Sequence, residues 1–350
     1  MAEEYPRSVM ELERRCATEE ACRGYLARLR WPEGFCCPRC NGTETWPIRA
    51  VLLQCTSCKY QASVTAGTIF QDTRTPLTVW FRAMWWVTTQ KNGASALGLQ
   101  RVLGLKSYET AWTWLHKFRR AMIRPGRELL SGRVEVDECY IGSPEDKLRG
   151  RGNVDKTLVV IAAQEDGNGI GRIRFRQIPD ASADTLNHFI QDSIVPGSTI
   201  HTDGWKGYSS VSSLGYTHEV TVLKGRKESA SELLPRVHIV ISLLKRWLAG
   251  THQGAVSHKH LDYYLDEFTF RFNRRRSKSR GKLFYRLIQQ AVAIEPVTLG
   301  NILHPEGALE AKLPARKGPA SVDSLDEGGG DSCLIRHAKS NSAPVRATLT

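Results

Sequence analysis

Asp137 lies inside the run VEVDE, and Asp203 closes TIHTD just before Gly204. A carboxylate on a largely apolar strand is costly to bury alone, and a divalent cation is one partner that offsets the cost. Glu138 adjoins Asp137, so on a strand it points to the opposite face and is left out of the set. Thirty-four residues separate Asp203 from His238, which opens the helical run HIVISLLKRWL, and Lys245 follows seven residues on. That interval is nearly two turns, so His238 and Lys245 share a face. An imidazole can ligate a divalent metal, and the Lys245 ammonium could hold a phosphate beside it. Glu228 and Glu232 compete as third ligands, but both precede the helix expected to face the strands. Two cations roughly 4 Å apart would activate a water or a 3′-hydroxyl and stabilise the leaving oxygen in phosphodiester displacement. One would lie between Asp137 and Asp203, the other between Asp137 and His238. Mg2+ suits the carboxylates, and the imidazole makes Mn2+ a credible substitute.

A second constellation is built from sulfur. Cys37-Pro-Arg-Cys40 and Cys55-Thr-Ser-Cys58 form two C-x2-C pairs with fourteen residues between them. Each pair can grip a tetrahedral ion from a tight turn, and two pairs around a short hairpin complete a four-cysteine zinc site. Trp46, Ile48, Val51 and Leu53 between them fit two short strands. Cys36 lacks the x2 spacing to Cys40. Cys16, Cys22, Cys139 and Cys333 read as buried or incidental thiols.

The elements that must hold these groups follow from periodicity. A helix over 18–30 is capped by Thr18 and leads into the ribbon. Leu77–Gln90 is a helix whose aromatics read as core. Ser95–Leu103, a break at Gly104, and Tyr108–Ile123 capped by Ser107 outline a helix-turn-helix, with Lys117, Arg119 and Arg120 as candidate DNA contacts. From Gly132 the pattern turns to strands: Arg133–Ile141, the continuously apolar Thr157–Ala163, and Gly171–Ile178. A helix to about Asp192, a strand Thr199–Asp203, a short helix Gly207–Leu214, a strand Thr217–Val222 and a helix Arg236–Leu248 follow. This order predicts an α/β fold, a ribonuclease-H-like mixed sheet with packed helices. The stretch Phe268–Arg286 is dense in basic residues. Arg274, Arg275, Arg276, Lys278 and Arg280 are expected on phosphates and its aromatics in the core.

Composition agrees with a polyanionic partner. The 350 residues hold 49 Lys plus Arg against 36 Asp plus Glu, a formal charge of +13. The tail from Pro305 is charge-balanced, so the whole excess precedes it. No apolar run approaches a membrane span. The charged N-terminus MAEEYPRSVMELERR lacks a signal-peptide core, which argues against secretion and predicts a cytoplasmic protein. The expected division is 1–66, helix and zinc ribbon; 67–130, helix-turn-helix-like segment; 131–304, catalytic domain with a basic C-terminal helix; and 305–350, a Gly/Ser/Pro-rich disordered tail.

Five blocks give the chain a family likeness: RWPEGFCCPRC, CTSCKYQASVTAGTIFQDTRTPLTVWFRAMW, VEVDECYIG, HTDGWKGY and HIVISLLKRWLAGTHQGAVSHKHLDYYLDEFTFRFNRR. From about Thr18 to Ile302 the chain resembles insertion-sequence transposases of the IS1595 type, also called ISXO2-like. The resemblance implies a zinc ribbon followed by a ribonuclease-H-like DDE-type domain that cleaves and transfers DNA strands at transposon ends. It also implies double-stranded DNA as partner and a homodimer or higher oligomer on it. Asp137 matches the first catalytic aspartate and Asp203 the second. His238 falls where other members carry Glu or Asn, and Lys245 matches the Lys that follows. The rival expectation is a non-catalytic zinc-ribbon DNA-binding protein or an inactive transposase remnant. A structure-specific nuclease on the same fold is a second. The first rival accounts for the charge, the ribbon and the helix pair, but not for Asp137, Asp203, His238 and Lys245.

Overall fold

The computed structural model describes residues 4–49, 51–124, 126–142, 156–222, 230–254 and 256–304. The expected disordered tail, 305–350, and Glu228 lie outside them. Among the described residues, 31–64 form one compact unit, and 4–30 with 65–304 form another.

In the smaller unit, β1 (Thr45–Arg49), β2 (Leu52–Cys55) and β3 (Gln61–Ser63) make an antiparallel sheet in sequence order. β3 follows the second cysteine pair, so the hairpin expected between the pairs has gained a third strand.

The larger unit starts with α1 (Val9–Arg15) and α2 (Glu19–Arg30), where Thr18 Oγ1 accepts from the Ala21 N–H at 3.2 Å. Next come α3 (Leu77–Thr89), α4 (Ala96–Leu103) and α5 (Tyr108–Ala121). α4 ends where Gly104 adopts φ 63°, a left-handed turn that glycine takes without steric cost. Trp80 and Phe81 of α3 are buried, and the Trp80 ring stacks on Trp114 of α5 with centroids 3.8 Å apart.

The chain then enters β4 (Arg133–Ile141), β5 (Thr157–Asp166) and β6 (Gly169–Ile178), followed by α6 (Ala183–Ser193), β7 (Thr199–Asp203) and β8 (Thr217–Thr221). Two 3-10 turns, Lys206–Tyr208 and Val211–Leu214, replace the single short helix expected before β8. Helices α7 (Ala230–Leu233), α8 (Pro235–Thr251), α9 (Leu261–Asn273), α10 (Arg280–Ala291) and α11 (Leu299–Leu303) complete the described chain.

The sheet order is β6-β5-β4-β7-β8. β5 runs antiparallel to both β4 and β6, and β7 and β8 run parallel to β4. This is the ribonuclease-H-like arrangement that the strand and helix succession predicts.

The sheet is covered on both faces because β4 alternates. Val134 and Val136 pack with Val160, Ile200, Leu186 and Phe189 on the α6 side. Cys139 and Ile141 pack with Ile161, Phe175 and the inner faces of α8 and α9. β5 is buried on both faces, so Val159, Val160 and Ile161 contribute about 1.5–3 kcal/mol each.

α5 packs against α9 and α10, and its Arg119 guanidinium meets Glu267 of α9 at 2.8 Å. Among the described residues, no helix is long and apolar enough to cross a membrane.

Candidate active site

Strand parity decides which side chains reach the α8 face. Glu135, Asp137, Cys139 and Ile141 alternate with Val134, Val136, Glu138 and Tyr140. Glu138 therefore turns to the α6 side, where its Oε2 accepts from the Tyr208 hydroxyl at 2.8 Å. Asp137 faces α8. The parallel register ends at Glu135↔His201, and Asp137 and Asp203 each lie two residues beyond that pair on adjoining strands, near enough for the Asp203 charge to act on Asp137. Asp203 terminates β7, and its Oδ1 accepts from the Trp205 N–H at 3.0 Å.

α8 brings the third group. His238 sits in its first turn, and its Nε2 lies 3.6 Å from Asp137 Oδ2. That nitrogen is buried and has no hydrogen-bond partner. Lys245 is exposed two turns on, near enough for its charge to act on both Cys139 and His238. Burial, then the charges of Glu138 and Asp203, pushes the Asp137 carboxyl up to about 7, against the pull of the Glu138 N–H. Burial lowers the His238 imidazole, with Glu135 and Asp203 opposing the shift. Each group is thus driven toward its neutral form, and together they are a carboxylate and an imidazole facing each other with an orphaned nitrogen. A divalent cation would satisfy both, so this donor set fits one. The three side chains approach without closing on a point. Among the described residues, the four cysteines are the group of three or more ligating side chains that does close.

Glu135 lies beside the group of Asp137 and His238, and motif reading missed it. It is 1% exposed, and both its oxygens are occupied. Oε2 accepts the backbone N–H groups of Arg236 at 2.8 Å and Val237 at 3.0 Å, and Oε1 accepts from Arg236 Nη1 at 2.9 Å. The available signal was its position two residues before Asp137, on the same face of the strand.

The basic candidates divide. Arg119 is corrected: its side chain is 2% exposed, paired with Glu267 and lying 3.9 Å from the Tyr264 ring centre, so it cannot meet a phosphate. A long polar side chain on an amphipathic helix can face the core when a buried acid awaits it, and the residue pattern does not show that acid. Lys117 is half-buried, its Nζ 3.5 Å from the Ile69 carbonyl, and burial lowers its pKa. Arg274 lies over Phe270 at 4.1 Å, and burial holds it down to about 10. Arg275 donates to the carbonyls of Ile170, Gly171 and Phe272, and Arg276 pairs with Asp166. Arg120 is half-exposed, and Lys278 and Arg280 are exposed.

In the smaller unit the four sulfurs lie within 4.8 Å of one another, with Cys37 to Cys58 and Cys40 to Cys55 each at 3.6 Å. Sulfurs about 2.3 Å from a tetrahedral zinc would stand about 3.8 Å apart, so the cage has the right size. Asn41 and Lys59, each just after the second cysteine of a pair, both take φ 60°, which closes the two knuckles alike. The backbone N–H groups of Cys58 and Ser57 hold the Cys55 thiol down to about 6 against desolvation, favouring the thiolate a metal needs. These residues form a structural zinc site.

Residues 129–273 match the family model of the ISXO2-like transposase domain, and residues 17–61 match the transposase zinc-ribbon domain, together more than half of the 350 residues. A Halobacterium salinarum protein, described as an uncharacterized protein in transposable element ISH50, is 26% identical over 275 residues, 73% of this chain and 90% of that one. Among solved structures, the catalytic core domain of BIV integrase is similar at 15% identity and TM-score 0.30, covering 51% of this chain and 99% of that one. The Mos1 strand transfer complex is similar at 12% identity and TM-score 0.24, covering 61% and 75%. The two family models match this chain in the order zinc ribbon, then transposase domain, and the chain belongs to the IS1595 (ISXO2-like) transposase family.

Proposed function

We propose that this chain is a DDE-type transposase that cleaves and transfers DNA strands at insertion-sequence ends. The observation that carries the reading is the buried, unpartnered Nε2 of His238 facing Asp137 Oδ2 at 3.6 Å, with the Asp203 charge acting on Asp137 from the adjoining strand. In this reading Asp137, Asp203 and His238 hold two divalent ions, Mg2+ or Mn2+. Those ions would polarise the attacking oxygen and neutralise charge on the leaving one. Lys245 holds a phosphate oxygen beside them. Ile161, Val240 and Ile241 belong to the buried apolar cluster that joins the sheet to α8. Arg120, Arg275, Arg276, Lys278 and Arg280 contribute phosphate contacts to double-stranded DNA, Lys117 and Arg274 contribute less, and two copies pair two ends.

The test is single-turnover cleavage of a transposon-end duplex with Mg2+ and with Mn2+. Asp137→Ala and Asp203→Ala are expected to keep DNA affinity and lose cleavage by at least 1,000-fold, about 4 kcal/mol of barrier. His238→Glu is expected to cleave measurably with Mg2+. Binding without nicking by the wild-type protein under both metals would instead establish a DNA-binding remnant. Release of cut ends with no joining to a target duplex would establish a simple nuclease.

A further inference from the structure

We infer that Glu135 is a positioning residue: it docks the N-terminus of α8 on the central strand and thereby sets His238 against Asp137. The inference rests on the reading of His238 as the third ligand and deepens it.

The accounting of the first turn of α8 is complete. A helix begins with N–H groups that lack helical partners. Here Pro235 occupies the first position and has no N–H to satisfy. The next two donors, Arg236 N and Val237 N, both end on Glu135 Oε2 at 2.8 and 3.0 Å. The His238 N–H returns to the Leu234 carbonyl at 3.4 Å. The cap is therefore not a neighbouring Ser or Asp but a carboxylate on a strand about 100 residues earlier in the chain.

Arg236 makes the joint rigid. Its guanidinium donates to Glu135 Oε1 at 2.9 Å, to Glu165 Oε1 at 2.5 Å, and to the carbonyls of Gly167 and Gly169 at the β5–β6 turn. Strand β4, the β5–β6 hairpin and the start of α8 are thus tied at one point. Glu135 and Asp137 are two residues apart on one face, so the anchor and the ligand share a strand and move together. His238 is the residue directly after the two anchored amides. Glu135 is not a metal ligand in this arrangement, because both its oxygens are already used.

Losing a group that orients a ligand costs activity without touching the ligand itself. Glu135→Gln keeps the length and one acceptor oxygen but loses the charge, and Glu135→Asp keeps the charge but falls about 1.5 Å short. Both are expected to slow single-turnover end cleavage about 10–100-fold while the Kd for end DNA stays within about twofold. A purely structural role would move Kd and the melting temperature together with the rate.

The deciding readout does not depend on DNA. The wild-type protein loaded with Fe2+ and treated with ascorbate and peroxide is cut in its backbone near the bound metal. Cuts are expected around Asp137, Asp203 and His238. In Glu135→Gln the cuts near the aspartates are expected to persist and the cut near His238 to fall at least fivefold. An unchanged His238 cut in a folded Glu135→Gln overturns the positioning role. Absence of all three cuts in the wild-type protein overturns the metal-site reading, and the positioning role falls with it. Should both variants fail to fold, residue-resolved hydrogen exchange on the wild-type protein decides. The Arg236 and Val237 amides are expected to be protected at least 100-fold, unlike ordinary first-turn amides, and free exchange at both overturns the inference.

Discussion

At Asp137 burial and neighbouring charge both work against ionisation. Its folded-state pKa, about 7, stands above the ordinary 3.8. Between about pH 4 and about pH 7 the folded protein therefore holds a proton that the unfolded chain has released. Stability then falls as pH rises through that window, by on the order of 4 kcal/mol in total. In metal-free buffer at pH 8, Asp137→Asn is expected to melt at a higher temperature than the wild-type protein, with the gap narrowing toward pH 4. Added Mn2+ should stabilise the wild-type protein and leave the variant unmoved. Superimposable pH profiles for the two proteins would place the shifted proton on another group.

Among the elements, α9 shows how a basic motif can serve packing. Glu267 is fully buried between Arg119 of α5 and Arg271 one turn along its own helix, both at 2.8 Å. Burial alone would raise its pKa, but the two guanidinium groups outweigh that and hold it down to about 2. Arg271 also donates to the Val87 and Gln90 carbonyls that end α3. The trio therefore joins α3, α5 and α9. Removing the anion leaves two buried cations facing each other, so Glu267→Ala is expected to cost about 3–5 kcal/mol by chemical denaturation. A loss below about 1 kcal/mol would show that the helices are held by their aromatic contacts alone. The Glu267 contribution is present above about pH 4.5 and is lost as pH falls toward 2, opposite in sign to that of Asp137. α4 and α5 are joined at Gly104 in the expected outline, and the face of α5 carrying Arg119 and Phe118 is spent on this core.

At the scale of the molecule, the described chain has two sources of order. Residues 31–64 contain short strands in which only Cys55 and Ala62 are buried, too little apolar burial to hold a sheet by packing alone. Metal ligation has to supply the difference. Cys37→Ser is expected to release zinc and to abolish amide protection in β1 and β2, while protection in β4 and β5 is retained. One zinc per chain remaining in that variant, by atomic emission, would mean that the ligand set is wrong.

Local patterns were enough for several features. The x2 cysteine spacing specified the knuckles, because a tight turn converges sulfurs with little help from elsewhere. Alternation in VEVDE put Asp137 and Glu138 on opposite faces, and the apolar run of β5 marked a strand covered on both sides. The order of strands and helices was legible because period and length are properties of short segments. The meeting of His238 with Asp137 depends instead on a carboxylate at 135 capping a helix that begins at 235, and the burial of Arg119 depends on an acid at 267. Such pairings are chosen by three-dimensional packing. Free energy depends on which polar groups are left without partners once water is gone, and a linear sequence does not say which groups those are.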